Sequence, residues 1–211
     1  MNQELQPNGQ NEISEEKNSA PAAKDLGFRL LDLFEMIGFA LLATLLVFSF
    51  AIRTCRVDGN SMNNTLRTQE LVLASPLFYE PAQGDVVVFH LVNESYKQPL
   101  VKRVIALEGQ KVKIDLTAKE VYVDGVRLDE PYVYLENDYY NPSGYFDYHR
   151  LYTDPNGHLV FMTEVPEGCL FVMGDNRNHS TDSRTTAVGF VDENCIIGKV
   201  FLRVKPFSVI E

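Results

Sequence analysis

Ser61, in "VDGNSMNNTL" (57–66), and Lys102, in "PLVKRVIALEGQKV" (99–112), are the residues whose types could combine in nucleophilic chemistry. A serine hydroxyl is a weak nucleophile until a base takes its proton. Nothing near Ser61 in the chain supplies one, because 57–66 holds no His or Lys and only Asp58 as an acid. Ser61 is therefore either a turn residue or a nucleophile whose partner comes from elsewhere. Lys102 lies between Leu100-Val101 and Val104-Ile105, in a run that reads as a strand, so Lys102 and Arg103 are expected to point opposite ways with one of them inward. Lysine acts as a base only when neutral. Lowering its pKa from about 10.4 toward 7 or 8 takes roughly 3 to 5 kcal/mol of differential solvation, which an apolar strand can impose. Arg103 cannot serve, because a guanidinium stays protonated. The plain alternative for Lys102 is a surface residue snorkelling its amine to water.

A third stretch, "FVMGDNRNHSTDSRTTAVGFV" (171–191), runs from a strand into a polar segment and back. The close spacing of Asp175, Arg177, Asp182 and Arg184 suggests a loop held by its own ion pairs and caps, rigid enough to position other residues.

The elements that must hold these residues can be read along the chain. Residues 1–28 begin "MNQELQPNGQNEISEEKNSAPAAKD", a polar composition that cannot bury enough apolar surface to order itself, and a disordered tail is expected. From Leu33 to Ile52 only Glu35 is charged, and a bilayer-spanning helix needs about 20 mostly apolar residues, so 29–53 reads as a transmembrane helix. A removable signal peptide fits less well. The run starts late, exceeds a typical apolar core, and lacks a small-x-small site before Arg53. Lys17, Lys24 and Arg29 on one flank balance Arg53, Arg56 and Arg67 on the other, so flanking charge does not set the orientation.

Beyond the helix, "ELVLAS", "GDVVVFHLV", "KVKIDL", "EVYVDGVRL", "CLFVMGD" and "KVFLRV" are short β-branched or alternating runs. Asp124-Gly125 carries the signal of a type I′ hairpin turn. A mostly β fold is expected over 54–211, an antiparallel, barrel-like sheet domain with a Tyr-rich insertion at about 129–160. Seven of the ten tyrosines fall between Tyr132 and Tyr152, where they could contact substrate or pack on the barrel wall.

The net charge of −10 and pI near 4.9 argue against nucleic acid and leave membrane attachment to the hydrophobic segment. Cys55, Cys169 and Cys195 are too few and too scattered for a disulfide framework or a metal site, and they read as small apolar residues.

Taken together, "GNSMNNTL", "GDVVVF", "KRVIALEGQKV" and "GDNRNHSTDSR", in that order behind an apolar anchor, resemble the motifs of bacterial type I signal peptidases, membrane-bound serine endopeptidases that remove signal peptides from exported proteins. The resemblance implies Ser61 as nucleophile and neutral Lys102 as general base, a Ser-Lys dyad with no histidine, so His179 reads as a loop residue. It implies Ser180 as a hydrogen-bond partner of the lysine, Asp182 with Arg184 as the pair that fixes the loop, and Met62 packed beneath the site. Related endoplasmic-reticulum enzymes carry His where this chain has Lys102, which favours the bacterial type.

Two positions depart from common family patterns. Gly59 stands where some members place a serine that donates to the oxyanion, which leaves the Ser61 backbone N–H and one further donor. Asn64 stands where proline is commonest, and asparagine can support the turn through side-chain to backbone bonds. The resemblance further implies preprotein signal peptides as partners, with small residues three and one positions before the cut, no cofactor or metal, and a monomer with its tail cytoplasmic and 53–211 outside.

Two other readings compete. Self-cleaving repressor-type proteins share the chemistry but are soluble DNA binders without a GDNR-type loop. A non-cleaving scaffold for exported proteins would need neither Ser61 nor Lys102.

Overall fold

The computed structural model describes residues 22–91, 98–135, 147–205 and 207–210. These divide into two compact units at Val47/Phe48. The first is the N-terminal part of a single α-helix, α1 (Ala22–Ala51), which starts before the expected residue 29 because Ala22 and Ala23 are strong helix formers. Within it Gly27–Ala51 is long and apolar enough to cross a bilayer, with mean hydropathy 2.2. Phe34, Met36, Ile37 and Phe39 are all exposed, so the apolar surface runs around the helix rather than along one stripe.

Among the described residues, the second unit carries thirteen antiparallel strands. They are β1 (Arg53–Arg56), β2 (Leu71–Ser75), β3 (Val86–Phe89), β4 (Leu100–Ala106), β5 (Lys111–Asp115), β6 (Glu120–Val123) and β7 (Val126–Arg127), followed by β8 (Leu151–Thr153), β9 (Leu159–Glu164), β10 (Cys169–Met173), β11 (Val191–Asp192), β12 (Ile196–Arg203) and β13 (Ser208–Val209). The larger sheet runs β1-β2-β12-β3-β4-β10-β11, with β13 also on β12, and the smaller runs β7-β6-β5-β9-β8. The mostly β, antiparallel expectation therefore holds. The Asp124-Gly125 turn joins β6 to β7, with both residues at positive φ (51° and 81°), as the type I′ geometry requires.

Alternation along the strands explains where the core sits. Val86 and Val88 of β3 face one apolar cluster, while Val87 and Phe89 face another, so this strand is covered on both faces. The same is true of β4, where Val101 joins the first cluster and Val104 the second. Lys102 and Arg103 do point opposite ways, yet both are buried, at 3% and 4% exposure. The expectation that only one would face inward fails because β4 has no solvent face.

The small sheet is an excursion between β4 and β10, which pair with Met173 opposite Arg103. That register delivers the loop after Met173 to the side of Lys102 and Arg103. Part of the Tyr-rich stretch serves this sheet, since β8 and the start of β9 lie within it. Tyr148 and Tyr152 are exposed, and Tyr139, Tyr140 and Tyr145 lie outside the described residues.

Phe171 of β10 is fully buried, between Phe161 of the small sheet and Phe190, with ring centroids 6.1 and 6.3 Å away. It joins the core in which Ile105 and Ala106 of the large sheet meet Val112, Ile114 and Val121 of the small one. Phe171→Ala is expected to lower unfolding free energy by about 3–5 kcal/mol, read as a reduced urea midpoint at unchanged slope.

Candidate active site

The turn bearing Ser61 is closed by the backbone. Val57 N–H donates to Glu70 O and Gln69 N–H to Val57 O, pinning the base of the loop, while Asn63 N–H donates to Asn60 O and Leu66 N–H to Met62 O within it. Met62 and Leu66, at 1% and 0% exposure, sink the turn into the core. Gly59 has φ +98° and donates its N–H to Thr68 Oγ1 at 2.8 Å, so the backbone itself explains a glycine here. Asn64 is exposed, its side chain bonds to no described residue, and backbone pairs close the turn. The Ser61 N–H likewise has no partner among the described residues.

Lys102 Nζ lies 2.8 Å from Ser61 Oγ and 3.1 Å from Val101 O. Burial strips water from the amine and is the main reason its pKa falls from 10.5 to about 8; Arg184 pushes the same way, while Asp182 and Asp175 oppose. In its charged form the amine donates to Ser61 Oγ, and in its neutral form it can accept the hydroxyl proton.

The loop after Met173 was expected to be held by its own ion pairs, and half of that is found. Asp182 and Arg184, both at 0% side-chain exposure, form a two-bond pair at 2.7 and 2.8 Å. Burial alone would raise the Asp182 pKa, but the Arg184 charge and the Gly174 N–H hold it below the ordinary carboxylate range. Asp175 and Arg177 instead reach outside the loop. Arg103 donates Nε and Nη2 to the Asp175 carboxylate at 2.9 and 2.8 Å, and Arg177 pairs with Glu130. Two residues past the Met173–Arg103 pairing, Asp175 is still alongside β4, which is why it meets Arg103.

The same loop grips the nucleophile turn. Asn176 donates its backbone N–H to Ser61 O at 3.0 Å and its side-chain amide to Asn60 O at 3.2 Å, and Thr65 Oγ1 donates to Asp175. A Cβ on Gly174 would lie 2.2 Å from Ser180 Oγ and 2.5 Å from Ser61 O, so only glycine allows this approach. Ser180 is fully buried beside the site, and its hydroxyl helps hold the Asp182 pKa down. The hydrogen bonds of the Lys102 amine go to Ser61 and Val101 rather than to Ser180. His179 lies in this loop and is not a partner of Ser61.

Sequence reading passed over Arg103 as a partner, as well as Gly174, Asn176, Glu130 and Thr65. Arg103, Thr65, Gly174 and Asn176 each lie within a stretch that carries the resemblance, whereas Glu130 lies outside all four.

Ser61, Met62 and Lys102 line a cavity of about 530 Å³ whose other walls are Thr54 to Asp58 and Gln98 to Val101. The sheet thus curls until β1 and the start of β4 face one space. Beyond this space β1 is an edge strand, and β4 over Leu100–Lys102 pairs only with β3 among the described residues. An extended peptide can add to such edges. Cys55, a free thiol, forms part of the wall. Among the described residues no group of three His, Cys, Asp or Glu is arranged to hold a metal.

A family profile described as signal peptidase, peptidase S26, matches residues 30–205. Signal peptidase IB of Staphylococcus aureus is 36% identical over 188 residues, which cover 85% of this chain and 91% of that protein. Signal peptidase I of Bacillus caldolyticus is 36% identical over 178 residues, covering 82% and 88%. A crystal structure of a signal peptidase I from Enterococcus faecalis V583 shares 28% identity over 57% of this chain and 97% of its own, with a TM-score of 0.40. With the profile spanning most of its length and relatives of this identity aligned along more than 80% of it, the chain belongs to the signal peptidase family of serine endopeptidases.

Proposed function

We propose that this protein is a membrane-anchored endopeptidase that cleaves signal peptides from exported preproteins, with Ser61 as nucleophile and Lys102 as general base. The observation that carries the reading is a desolvated lysine amine 2.8 Å from a serine hydroxyl in the wall of an open groove. Neutral Lys102 takes the Ser61 proton as Oγ attacks the scissile carbonyl, and the Ser61 N–H donates to the oxygen on which charge develops. The resulting ammonium returns the proton to the leaving amine as the acyl-enzyme forms. Lys102, neutral again, activates water to release the signal peptide from Ser61.

The groove suits an extended segment with small side chains. Val57, Met62 and Val101 offer apolar walls, and the β1 and β4 edges offer main-chain partners. A small-x-small substrate places its alternate residues on one face. Ser61 follows Ile52 by about nine residues, at most roughly 30 Å of chain, so the nucleophile stays near the bilayer that also holds the substrate's apolar segment. The family resemblance favours a cytoplasmic tail and an external catalytic domain acting as a monomer.

Ser61→Ala and Lys102→Met should each reduce preprotein cleavage at least a thousandfold, measured by mass spectrometry of products in detergent. Binding that persists in both variants while the parent cuts none of a varied set of preproteins would support the scaffold reading instead.

Because the base must be neutral, log kcat/KM should climb by one per pH unit below about 8 and level off above it, in an initial-rate profile from pH 6 to 10. A limb centred on 6.5 would implicate a histidine.

A further inference from the structure

Residues Glu130–Leu135 leave the small sheet and run to the loop that holds Ser61, ahead of the part of the Tyr-rich stretch outside the described residues. Their contacts fall on three consecutive residues of that loop. Tyr134 N–H donates to Asp175 O at 2.9 Å, Arg177 N–H donates to Tyr134 O at 3.2 Å, and Tyr134 forms an isolated parallel bridge with Asn176. Glu130 accepts Nη1 and Nη2 of Arg177 at 3.0 and 2.5 Å, with the pair at 11% and 1% side-chain exposure. Arg177 Nε in turn donates to Gly174 O at 3.1 Å.

Tyr132 carries the second grip. Its ring lies under the Arg103 guanidinium, 3.9 Å from centroid to Cζ, while its hydroxyl donates to Glu130 Oε1 at 3.1 Å. Burial first, and then the Glu130 carboxylate, push the tyrosine pKa well up, so the hydroxyl is still a donor at the pH where Lys102 turns neutral. One short segment thus holds Arg103, which reaches into the loop, and Arg177, which belongs to it. Arg103 holds Asp175, and between Asp175 and Arg177 sits Asn176, whose backbone N–H fixes the Ser61 carbonyl. The far side of the Tyr-rich stretch returns to the same loop, where Asp147 N–H donates to Arg184 O at 2.7 Å.

We propose that Glu130 and Tyr132 are positioning residues for the reaction: they form a strap that sets the Ser61–Lys102 geometry through Arg103, Asp175 and Asn176 without touching substrate or the reacting atoms. The inference rests on the Ser-Lys reading above. It assigns the root of the Tyr-rich stretch to the back of the catalytic loop rather than to the substrate. A stack under a buried arginine and a two-bond carboxylate clamp both restrict direction as well as distance. A displacement of about 1 Å in a reacting pair can cost up to a hundredfold in rate.

The test compares the full chain with Tyr132→Ala, Tyr132→Phe and Glu130→Ala in detergent, measuring kcat and KM for a preprotein together with the thermal midpoint of the β unit. Tyr132→Ala and Glu130→Ala should lower kcat by about tenfold to a hundredfold with KM within about twofold. Tyr132→Phe keeps the ring over Arg103 and should recover most of what Tyr132→Ala loses. The proposal is overturned if Tyr132→Ala turns over like the parent, or if KM rises at constant kcat, which would make the segment a substrate contact. A kcat loss that only tracks the fraction unfolded at the assay temperature also overturns it. Failure of the Ser-Lys reading shows up separately, as an inactive parent or an active Ser61→Ala.

Discussion

The removal of water from the Lys102 amine is the condition on which the rest of the site depends. Lowering its pKa from 10.5 to about 8 corresponds to roughly 3 kcal/mol of lost preference for the charged form. Two carboxylates nearby, Asp182 and Asp175, would restore that charge if they acted alone. Each is instead paired with its own arginine, Arg184 and Arg103, through two hydrogen bonds. At Lys102 the Arg184 charge opposes that of Asp182, and burial outweighs the pull of both carboxylates and decides the protonation state.

This requirement accounts for features of the fold that are otherwise unrelated. A strand with one wet face could not hide both Lys102 and Arg103, and β4 is covered on both sides. The small sheet is inserted between β4 and β10, so its core closes over Ile105 and Ala106 while β10 returns to pair with the base-bearing strand. Its register then places the Gly174–Arg184 loop against the Ser61 turn, at a contact so close that residue 174 can carry no side chain. Buried ion pairs are weak sources of net stability. Here they hold direction and charge around a base.

How much of this could be read from the sequence depends on the range of each interaction. The Ser61 turn, the apolar run around Lys102, the Asp124-Gly125 hairpin and the Asp182–Arg184 pair are local, written within a few residues. Arg103 to Asp175 spans 72 residues and Arg177 to Glu130 spans 47, and neither partner has a local pattern that names the other. The inward lysine could be anticipated, but the equally buried arginine beside it could not. Alternation gives opposite faces without saying whether both are covered. Gly59 and Asn64 looked like gaps in a motif. In the structure the first satisfies a positive φ, and the second sits exposed on a turn that the backbone already closes.

The central claim is that burial makes Lys102 a base near neutral pH. It is tested most directly by following the Lys102 side chain itself: ¹³C NMR of lysine-labelled protein titrated from pH 6 to 11, with the resonance assigned by its loss in Lys102→Met. The account predicts a titration midpoint of about 8 for this one lysine. A midpoint near 10.5, the ordinary value, would contradict it and remove the basis for a Ser61–Lys102 pair.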